Sequence, residues 1–514
     1  MNYGNMTLKE KILQTFVVTI REVNKHGGPE SFFEKFPVGG MYYDESSDVN
    51  IRDKIETGTA SCPEHLELCR KNSKVPLLIC ADAAKLSGQH IIAKSKSAAG
   101  TRRNLDAYNL GKIIGMQMNS CGIDWVLGPI VDMYYDRSMP LYAASNDPIL
   151  TASLSRQIVK GIQDQGVCAT VKHFPGLGTT NINMHFAPGQ NCLSFNEWMK
   201  TYGYVYKEAF KENVCSVMTT HVTLKSYDNE YNNGFYPSAT FSKKLTTDLL
   251  KETLGFDGVV VTDALIMGGM ATGDIVKETV QAFKAGADML LWPPIEAADA
   301  IAEAIENGNI PMSRLDDALM RIDKMRCFRK DALNKKIADK PDSEFANRVS
   351  EQIIRDGICL CRNDNNLIPI HNCKKILIID ATDNDKSAYM LCDKFVRRGF
   401  ETDVKRIIYD VPSRVCWQDD IDELQSKYDV VILNLNTDIA CTWSEPFMLI
   451  WASHLFDKKK KIIVNYGSPF FAEDYFPEDP TIIETNASPS DELANALAEG
   501  IIGEMDFKGH SVIL

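Results

Sequence analysis

Several features of membrane and secreted proteins are missing from this chain of 514 residues. No apolar run approaches the length of about 20 residues that a membrane-spanning helix needs. The N-terminal segment, residues 1–7, has no positively charged stretch followed by an apolar one, so it does not resemble a secretory signal. These absences predict a cytoplasmic protein that binds no membrane.

Positive charge is also scarce. The chain has 56 Lys and Arg residues against 69 Asp and Glu residues, which gives a formal net charge of −13. Proteins that bind nucleic acids or anionic lipids carry an excess of positive charge on one face. The composition therefore predicts no nucleic-acid partner. The hydrophobic fraction of 44% is ample for more than one buried core.

Paired cysteines are absent as well. The 14 cysteines include no C-x-x-C pair, and Cys359 and Cys361 stand nearest to each other. Others, such as Cys80, Cys168 and Cys215, lie inside apolar runs. Zinc sites and disulfide frameworks depend on closely spaced cysteines, so this spacing favours reduced, mostly buried thiols over either alternative.

Strand-like and helix-like segments alternate along the first part of the chain. A capping box, Thr7-Leu8-Lys9-Glu10, and apolar residues at helical spacing predict a first helix that runs as far as Ile20. Seven strand-like runs follow, at 37–42, 75–81, 124–131, 167–171, 214–220, 258–262 and 288–292. Helical stretches separate most of them, at 105–118, 150–163, 195–211, 243–254 and 275–285. This order predicts an α/β fold, a (β/α)8 TIM-type barrel over residues 1–330, with the eighth strand not identified.

A smaller α/β domain is predicted after the barrel, over residues 345–514. The charged stretch 331–344, which contains Pro341, is typical of a linker that follows a helix at 311–328. Beyond it, apolar runs predict strands at 375–380, 403–408, 430–435, 461–466 and 481–484, with helices at 345–357, 387–398 and 490–499. Its length lies within the ordinary range for one domain.

Polar side chains stand where the predicted barrel strands end. They are Asp82, Asp132, Lys172, His173, His221 and Asp263, joined by the aromatic Trp292. The carboxyl ends of barrel strands meet on one rim, where active sites form. Cations, carboxylates and imidazoles together bind polar ligands and perform proton transfer and nucleophilic attack. For any single member, a loop cap or an ordinary ion pair is the alternative.

The segment from Lys172 to His185 has the most distinctive sequence. A Lys-His pair ends a strand-like run, and a loop rich in proline and glycine leads to His185. The Gly176-Leu177-Gly178 stretch lacks the third glycine of a dinucleotide fingerprint. A metal site on His173 and His185 is disfavoured by their separation and by the lack of a nearby carboxylate ligand. We therefore predict no cofactor and no metal, and interpret the loop as an arm that delivers His185 to a substrate.

This segment resembles a barrel loop of glycoside hydrolase family 3, in particular of its β-N-acetylglucosaminidase branch, which reads K-H-F-P-G-H-G-x-T-x-x-D-S-H. Residues 255–267 resemble the family's G-F-D-G-V-V-x-S/T-D-x-L-x-M segment. Residues 217–221 and 285–291 are similar to two further barrel segments, and residues 467–470 and 507–512 to the family's α/β sandwich. The resemblance covers nearly the whole chain and implies a TIM-type barrel followed by a smaller α/β sandwich domain.

The resemblance implies a retaining, two-step mechanism on a β-glycoside. Asp263 matches the nucleophile that forms a covalent glycosyl-enzyme, and His185 matches the acid/base. Lys172, His173 and Asp82 match residues that hold ring hydroxyls. Histidine suits the acid/base role because its ordinary pKa lies near neutrality. The remaining candidate substrate-binding residues are Asp132, His221, Met267, Trp292, Asn183 and Arg137.

The chain departs from the family pattern at positions that bear on activity and specificity. Asn183 replaces the aspartate that would orient His185 and stabilise its charged form, which predicts a slowed first step and a preference for activated leaving groups. The family's D-x-E-G-G segment reads Asp82-Ala83-Ala84-Lys85-Leu86 here. Tyr142 aligns with a sugar-contacting arginine, for which Arg137 is a candidate substitute. The N-acetyl preference of the branch therefore stays open.

The leading hypothesis is a cytoplasmic retaining glycosidase of small β-glycosides, with N-acetylglucosaminides among the candidate substrates. Phosphorolysis stays open, because loss of the loop aspartate favours an anionic acceptor such as phosphate. A sugar-binding relative without activity is the alternative from another class. An aldolase-type barrel with Lys172 as the Schiff base is a further alternative, which needs a desolvated lysine. The expected partner is a small carbohydrate, and the candidate assembly is a homodimer.

Overall fold

The computed structural model describes residues 3–43, 62–82, 95–133, 144–177, 182, 184–231, 236–270, 273–335, 342–382, 386–406, 418–436 and 454–513. The chain divides into two compact units. The first comprises Met1–Ala93, Ala107–Met133 and Thr151–Ser343. The second comprises Lys94–Asp106, Tyr134–Leu150 and Glu344–Leu514.

The first unit is built around a parallel barrel. Its strands are β1 (Phe16–Thr19), β2 (Gly40–Tyr42), β3 (Leu78–Ala81), β4 (Trp125–Val126), β5 (Cys168–Phe174), β6 (Gly189–Gln190), β7 (Ser216–Thr219), β8 (Val222–Thr223), β9 (Val259–Thr262) and β10 (Leu290–Leu291). Eight of them pair in the order β10-β1-β2-β3-β4-β5-β7-β9. A parallel bridge between Val261 and Met289 joins the two ends of this sheet. The short strands β6 and β8 pair separately. The α/β barrel predicted from the sequence is confirmed.

The N-terminal segment differs from its prediction. The helix capped by Thr7 and Glu10 ends at Leu13, and Phe16–Thr19 form β1, the strand that the sequence pattern did not identify. This strand pairs with β10 on one side and with β2 on the other. Short apolar runs suit a helix and a buried strand alike. Here the backbone partners on both sides decide in favour of the strand, and the helix predicted as far as Ile20 is wrong beyond Leu13.

Helices follow most of the barrel strands. Those described up to Asn334 are Leu8–Leu13, Ile20–Lys25, Gly28–Lys35, Cys62–Asn72, Ser95–Thr101, Asn104–Ser120, Pro148–Asp164, Phe195–Lys200, Tyr202–Phe210, Ile275–Ala285, Ala297–Glu306 and Met312–Asn334, with a π-helix at Lys244–Thr253. The helix predicted over 195–211 is interrupted at Thr201, and the last helix continues into the stretch predicted as a linker. None of the helices described is long and apolar enough to cross a membrane.

The barrel interior is filled by side chains, and ion pairs lie at its N-terminal end. The indole of Trp125 donates hydrogen bonds to Thr170 Oγ1 at 2.6 Å and to Ser216 Oγ at 3.1 Å, so its polar atom is satisfied inside the core. Asp124, just before β4, accepts from Arg70 and Arg329 at 2.8 and 2.9 Å. Structural charges thus occupy the N-terminal end of the barrel, and the opposite rim carries the candidate site.

The second unit contains a mixed sheet of six strands in the order β11-β16-β15-β14-β12-β13. They are β11 (Cys359–Asn363), β12 (Lys375–Thr382), β13 (Glu401–Lys405), β14 (Val430–Asn436), β15 (Lys461–Asn465) and β16 (Thr481–Glu484). The edge strand β11, which the sequence pattern did not identify, is antiparallel to β16. The helices that the structure describes from Ser343 onward are Ser343–Gly357, Ser387–Arg397, Gln418–Gln425, Pro469–Tyr475 and Asp491–Ile502. The α/β character predicted for this unit is confirmed.

Candidate active site

Asp263 lies one residue beyond β9, on the C-terminal rim of the barrel. Its Oδ2 accepts a hydrogen bond from the Thr220 hydroxyl at 3.1 Å, and its Oδ1 accepts from the Ala264 amide at 2.8 Å. The Asp263 amide donates to the carbonyl of Thr219 at 2.8 Å. Both carboxylate oxygens therefore have a donor, and the main chain is fixed to the end of β7.

The environment of Asp263 favours its charged form. Burial alone would raise the pKa of this carboxyl, but His173, His221, Lys172 and the Ala264 amide together outweigh burial and hold the pKa below its ordinary value of 3.8. The side chain is thus a carboxylate at neutral pH, the form in which an aspartate acts as a nucleophile.

Lys172 and Asp82 form an ion pair beside this carboxylate. Lys172 Nζ lies 2.7 Å from Asp82 Oδ1, and the hydroxyl of Tyr42 donates to Asp82 Oδ2 at 3.0 Å. Burial acts to lower the pKa of Lys172, but Asp82, helped by Asp263 and Asp132, raises it above 10.5 overall. The site therefore contains a cation that stays charged throughout the neutral range.

Asp132 lies behind His173. The Asp132 side chain is fully buried, and its Oδ2 is 2.7 Å from His173 Nδ1 and 3.2 Å from the His173 amide nitrogen. Its Oδ1 accepts from the Leu177 amide at 2.9 Å. A carboxylate that engages Nδ1 fixes the orientation of the ring and decides which nitrogen faces a ligand. Asp132 therefore orients both His173 and the start of the loop that leads to His185.

His221 connects the end of β7 to the loop after Asp263. Its ring is fully buried, with Nδ1 at 2.9 Å from the Thr240 hydroxyl and Nε2 at 3.1 Å from the Ala264 carbonyl. A carbonyl only accepts, so Nε2 carries a proton and Nδ1 accepts from the hydroxyl when the ring is neutral. Burial lowers the pKa of His221 below 6.5, although nearby Asp263 acts in the opposite direction. The protein itself engages both ring nitrogens.

His185 is exposed on a turn that is attached to the loop following Asp263. Its carbonyl accepts a hydrogen bond from the Gly268 amide at 2.9 Å, and the carbonyl of Met184 accepts from the Gly269 amide at 3.0 Å. A Cβ on Gly268 would lie 2.7 Å from the Phe186 carbonyl oxygen, and one on Gly269 would lie 2.5 Å from the Met184 carbonyl oxygen. The absence of a side chain at both positions permits this close approach.

Trp292 and Met267 complete the described part of the rim. Trp292 follows β10 and meets the ring of Tyr42 edge-on, with the ring centroids 5.2 Å apart. Its φ of 62° lies in the left-handed region, which is rare for an aromatic residue and concentrates at functional sites. Met267 and Trp292 are both partly buried against the barrel core.

The structure thus brings most of the predicted site residues to one rim, where they differ from one another in burial and in hydrogen-bond partners. Direct contacts or charge interactions link Asp82, Lys172, His173 and Asp263. In contrast, Asp132 contacts His173 and Leu177, and His221 contacts Thr240 and Ala264. Asn183 and Arg137 lie outside the described residues. In the part of the chain that the structure describes, no group of three His, Cys, Asp or Glu side chains is arranged for a metal ion.

Four residues that hold the site together were not identified from the sequence. Tyr42 and Thr220 end strand-like runs, so the signal that identified the others also applied to them. Gly268 and Gly269 act through main-chain contacts between segments distant in sequence, for which the pattern gives no signal.

Comparison with known sequences gives a family match and several relatives. Residues 7–325 match the model of the glycosyl hydrolase family 3 N-terminal domain. The β-N-acetylglucosaminidase/β-glucosidase of Cellulomonas fimi is 29% identical over 268 residues, which are 49% of this chain and 48% of the relative. The β-hexosaminidase A of Pseudoalteromonas piscicida is 25% identical over 297 residues, 54% of this chain and 49% of the relative. The chain spans about half the length of these curated relatives.

Solved structures extend the likeness to nearly the whole chain. A family 3 β-N-acetylglucosaminidase from Paenibacillus sp. str. FPU-7 superimposes with a TM-score of 0.82 at 23% identity and covers 99% of both chains. A β-glucoside phosphorylase, BglX, superimposes with a TM-score of 0.83 at 21% identity, covering 99% of this chain and 94% of the other. At these identities the likeness shows a shared fold.

Proposed function

Because the chain belongs to glycosyl hydrolase family 3, we propose that it is a retaining glycoside hydrolase of small β-glycosides, with Asp263 as nucleophile and His185 as acid/base. The observation that carries the proposal is the pair of main-chain hydrogen bonds between the loop of His185 and the loop that begins at Asp263. These bonds hold a charged carboxylate and an exposed imidazole on two adjoining segments of one rim.

The chemistry proceeds in two displacements. In the first, a carboxylate oxygen of Asp263 attacks the anomeric carbon while the protonated imidazole of His185 gives its proton to the departing glycosidic oxygen. The products are a glycosyl ester on Asp263 and the released alcohol. In the second, neutral His185 takes a proton from water, the water oxygen attacks the anomeric carbon, and the ester bond to Asp263 breaks. Configuration is retained because two inversions follow each other.

Lys172, Asp82 and His173 are the proposed sugar-binding residues. An ammonium group has three N–H donors, and Asp82 receives only one of them, so Lys172 is able to bind a ring hydroxyl without losing its partner. We assign Asp132 and His221 to positioning, because their polar atoms contact other parts of the protein. Trp292 and Met267 are the proposed apolar wall for the sugar ring. Arg137 and Asn183 keep the binding roles proposed from the sequence.

We also propose a cytoplasmic location and a small carbohydrate partner. Eleven cysteines among the described residues are free thiols, which supports a compartment that keeps thiols reduced. N-acetylglucosaminides are candidate substrates beside glucosides, because relatives of both descriptions match the chain. The homodimer stays a prediction from the sequence.

A covalent label tests the function directly. Nitrophenyl glycosides of gluco, N-acetylgluco, xylo, arabino and galacto configuration are screened first, and the matching 2-deoxy-2-fluoro glycosyl fluoride is then incubated with the protein. The expected result is a mass increase of one fluoroglycosyl group on the peptide that contains Asp263, with no increase in the Asp263→Asn variant. Sugar affinity without nitrophenol release and without labelling would establish the non-catalytic alternative.

Phosphorolysis is a second candidate for the deglycosylation step. The observation that favours it is Asn183, which stands in the sequence of the acid/base loop where the family has an aspartate and so removes a negative charge that would repel phosphate. The β-glucoside phosphorylase BglX shares the fold of this chain. Repeating the screen with added inorganic phosphate, and assaying sugar 1-phosphate, separates the two outcomes. Free sugar as the only product in the presence of phosphate assigns hydrolysis.

A further inference from the structure

Thr220 stands between the two loops that carry the proposed catalytic groups. Its side chain is fully buried, with Oγ1 at 3.1 Å from Asp263 Oδ2 and 2.8 Å from Met184 Sδ. Its amide donates to the Phe174 carbonyl at 2.9 Å, which fixes the main chain of Thr220 to the end of β5. One hydroxyl group therefore contacts the proposed nucleophile and the neighbour of the proposed acid/base at once.

The two contacts of this hydroxyl are not equivalent. A hydroxyl has one proton to donate, and a carboxylate is a much stronger acceptor than a thioether sulfur. The proton therefore belongs to the bond with Asp263. The sulfur of Met184 is the weaker acceptor for the same proton, and it packs against Thr220 Oγ1 from the other loop, which restricts rotation of the Thr220 side chain about its Cα–Cβ bond. Met184 is itself buried, so this contact has little room to relax.

We propose that Thr220 is a positioning residue for Asp263 and that Met184, by packing against the Thr220 hydroxyl oxygen, holds this oxygen in the position that the role requires. The inference rests on the proposed function, since it takes Asp263 as the nucleophile. Met184 directly precedes His185, and its carbonyl is bound by Gly269. Docking of the acid/base loop therefore also sets the donor at the nucleophile, so that both groups reach their working arrangement together.

The effect of Thr220 is separable from that of the charged groups around Asp263. Those groups are His173 and Lys172 of β5 and His221 beyond β7, with His185 acting on His221. Thr220 does not titrate in the accessible range, so its donor is present at every pH of an assay. Its removal takes a hydrogen bond from the charged form of Asp263, and the carboxyl then protonates at higher pH.

The test compares Thr220→Val with Thr220→Ser. The valine variant keeps the shape but lacks the hydroxyl. We expect kcat/KM on the best nitrophenyl glycoside to fall roughly 10- to 100-fold, as for the loss of a hydrogen bond to a charged group. The acid limb of its pH profile should move upward by about half a unit or more. Thr220→Ser should restore the rate and return the limb toward that of the unmodified protein.

Met184 supplies the second variant. Met184→Ala removes the contact that restrains the hydroxyl, so it should lower kcat/KM in the same direction as Thr220→Val and by a smaller factor, whereas Met184→Leu should keep most of the activity. If Thr220→Val does not fold, as judged by its thermal unfolding, the Met184→Ala and Met184→Leu pair carries the test. Equal activities in that pair, or an unmoved acid limb in a folded Thr220→Val, overturn the inference.

Failure of this inference and failure of the proposed function give different results. If the unmodified protein is not labelled at Asp263 by the fluoroglycosyl reagent, the proposed function fails and Thr220 has no nucleophile to position. If it is labelled, and Thr220→Val is labelled at the same rate and with the same pH dependence, only the role of Thr220 is refuted.

Discussion

The carbonyl oxygen of His185 accepts a 2.9 Å hydrogen bond from the amide of Gly268, in the loop that follows Asp263. A bond between main-chain atoms is independent of side-chain chemistry, but it requires that no side chain separates the two segments. Gly268 meets this requirement because its missing Cβ would fall within 3 Å of carbonyl oxygens in the His185 turn. The geometry of the proposed acid/base therefore depends on a residue that contributes no functional group.

Replacing Gly268 with alanine should displace the His185 turn. We expect kcat/KM to fall roughly 10- to 100-fold on glycosides with poor leaving groups, because these depend most on proton transfer. Nitrophenyl glycosides, whose leaving groups need less protonation, should lose less. The matched control is Gly128→Ala, since a Cβ on Gly128 meets no atom within 4 Å. Equal losses on both classes of substrate would show that the turn does not position the acid.

Replacing Asn183 with aspartate should restore the charge that the family places beside the acid/base. The carboxylate stabilises a protonated imidazole, so turnover of unactivated glycosides should rise, with each pKa unit of stabilisation corresponding to about 1.4 kcal/mol. The measurement is kcat on alkyl and nitrophenyl glycosides of one sugar, with Asn181→Asp as the control in the same loop. Unchanged or lower turnover of alkyl glycosides would contradict the prediction.

His221 should make folding stability depend on pH. The pKa of His221 in the folded protein lies below 6.5, the ordinary value that it has in the unfolded chain. Between these two pKa values the unfolded chain binds a proton that the folded protein does not bind. Stability therefore declines as the pH drops below about 6.5. The His221→Gln variant should lose about 1 to 3 kcal/mol of the free energy of unfolding at neutral pH, because buried hydrogen bonds of His221 are lost. Its free energy of unfolding should also decline less steeply as the pH falls. Denaturant midpoints between pH 5 and 8 check this, and parallel curves for both proteins would disprove it.

Asp288 should be among the side chains on which the barrel depends most. It is fully buried, with Lys251 Nζ at 2.7 Å, Arg314 in contact and the Val260 amide at 2.8 Å. Asp288→Asn leaves two cations without this partner, so we expect a loss of about 3 to 5 kcal/mol in denaturant unfolding. Asp299→Asn, which removes an exposed ion pair with Lys9, should cost less than about 1 kcal/mol. Similar losses in both variants would argue against the buried cluster.

The barrel was predictable from the sequence except where local pattern and tertiary pairing disagree. Buried parallel strands such as β5 and β9 are short runs of β-branched and apolar residues. Such runs can be recognised from the sequence without knowing which strands pair with them. The segment Phe16–Thr19 has the same composition, but it follows a well-capped helix. Its apolar residues also fall at the helical spacing of that helix, so the pattern predicts that the helix continues. Only the strands on its two sides, β10 and β2, distinguish the alternatives, and they come from distant parts of the chain.

The site was predictable as a set of positions and less so as a set of roles. A strand end identifies the rim, so Asp82, Lys172 and Asp263 were expected there. The contacts of each side chain depend on neighbours that come from other strands, and so the sequence could not show that Asp132 bonds to His173 and to the Leu177 amide. Thr220 is a small residue in a run of similar residues, and its importance comes only from the two atoms that it touches.

The buried carboxylate of Asp132 has a consequence for how a ligand is met. Three contacts, two to His173 and one to Leu177, orient the imidazole through groups that lie inside the protein. Under the proposed function, an arriving sugar would meet this ring already immobilised, and little conformational freedom would be lost there on association. Recognition through His173 would then be closer to lock-and-key than to induced fit, and empty and occupied forms should share one rotamer of His173.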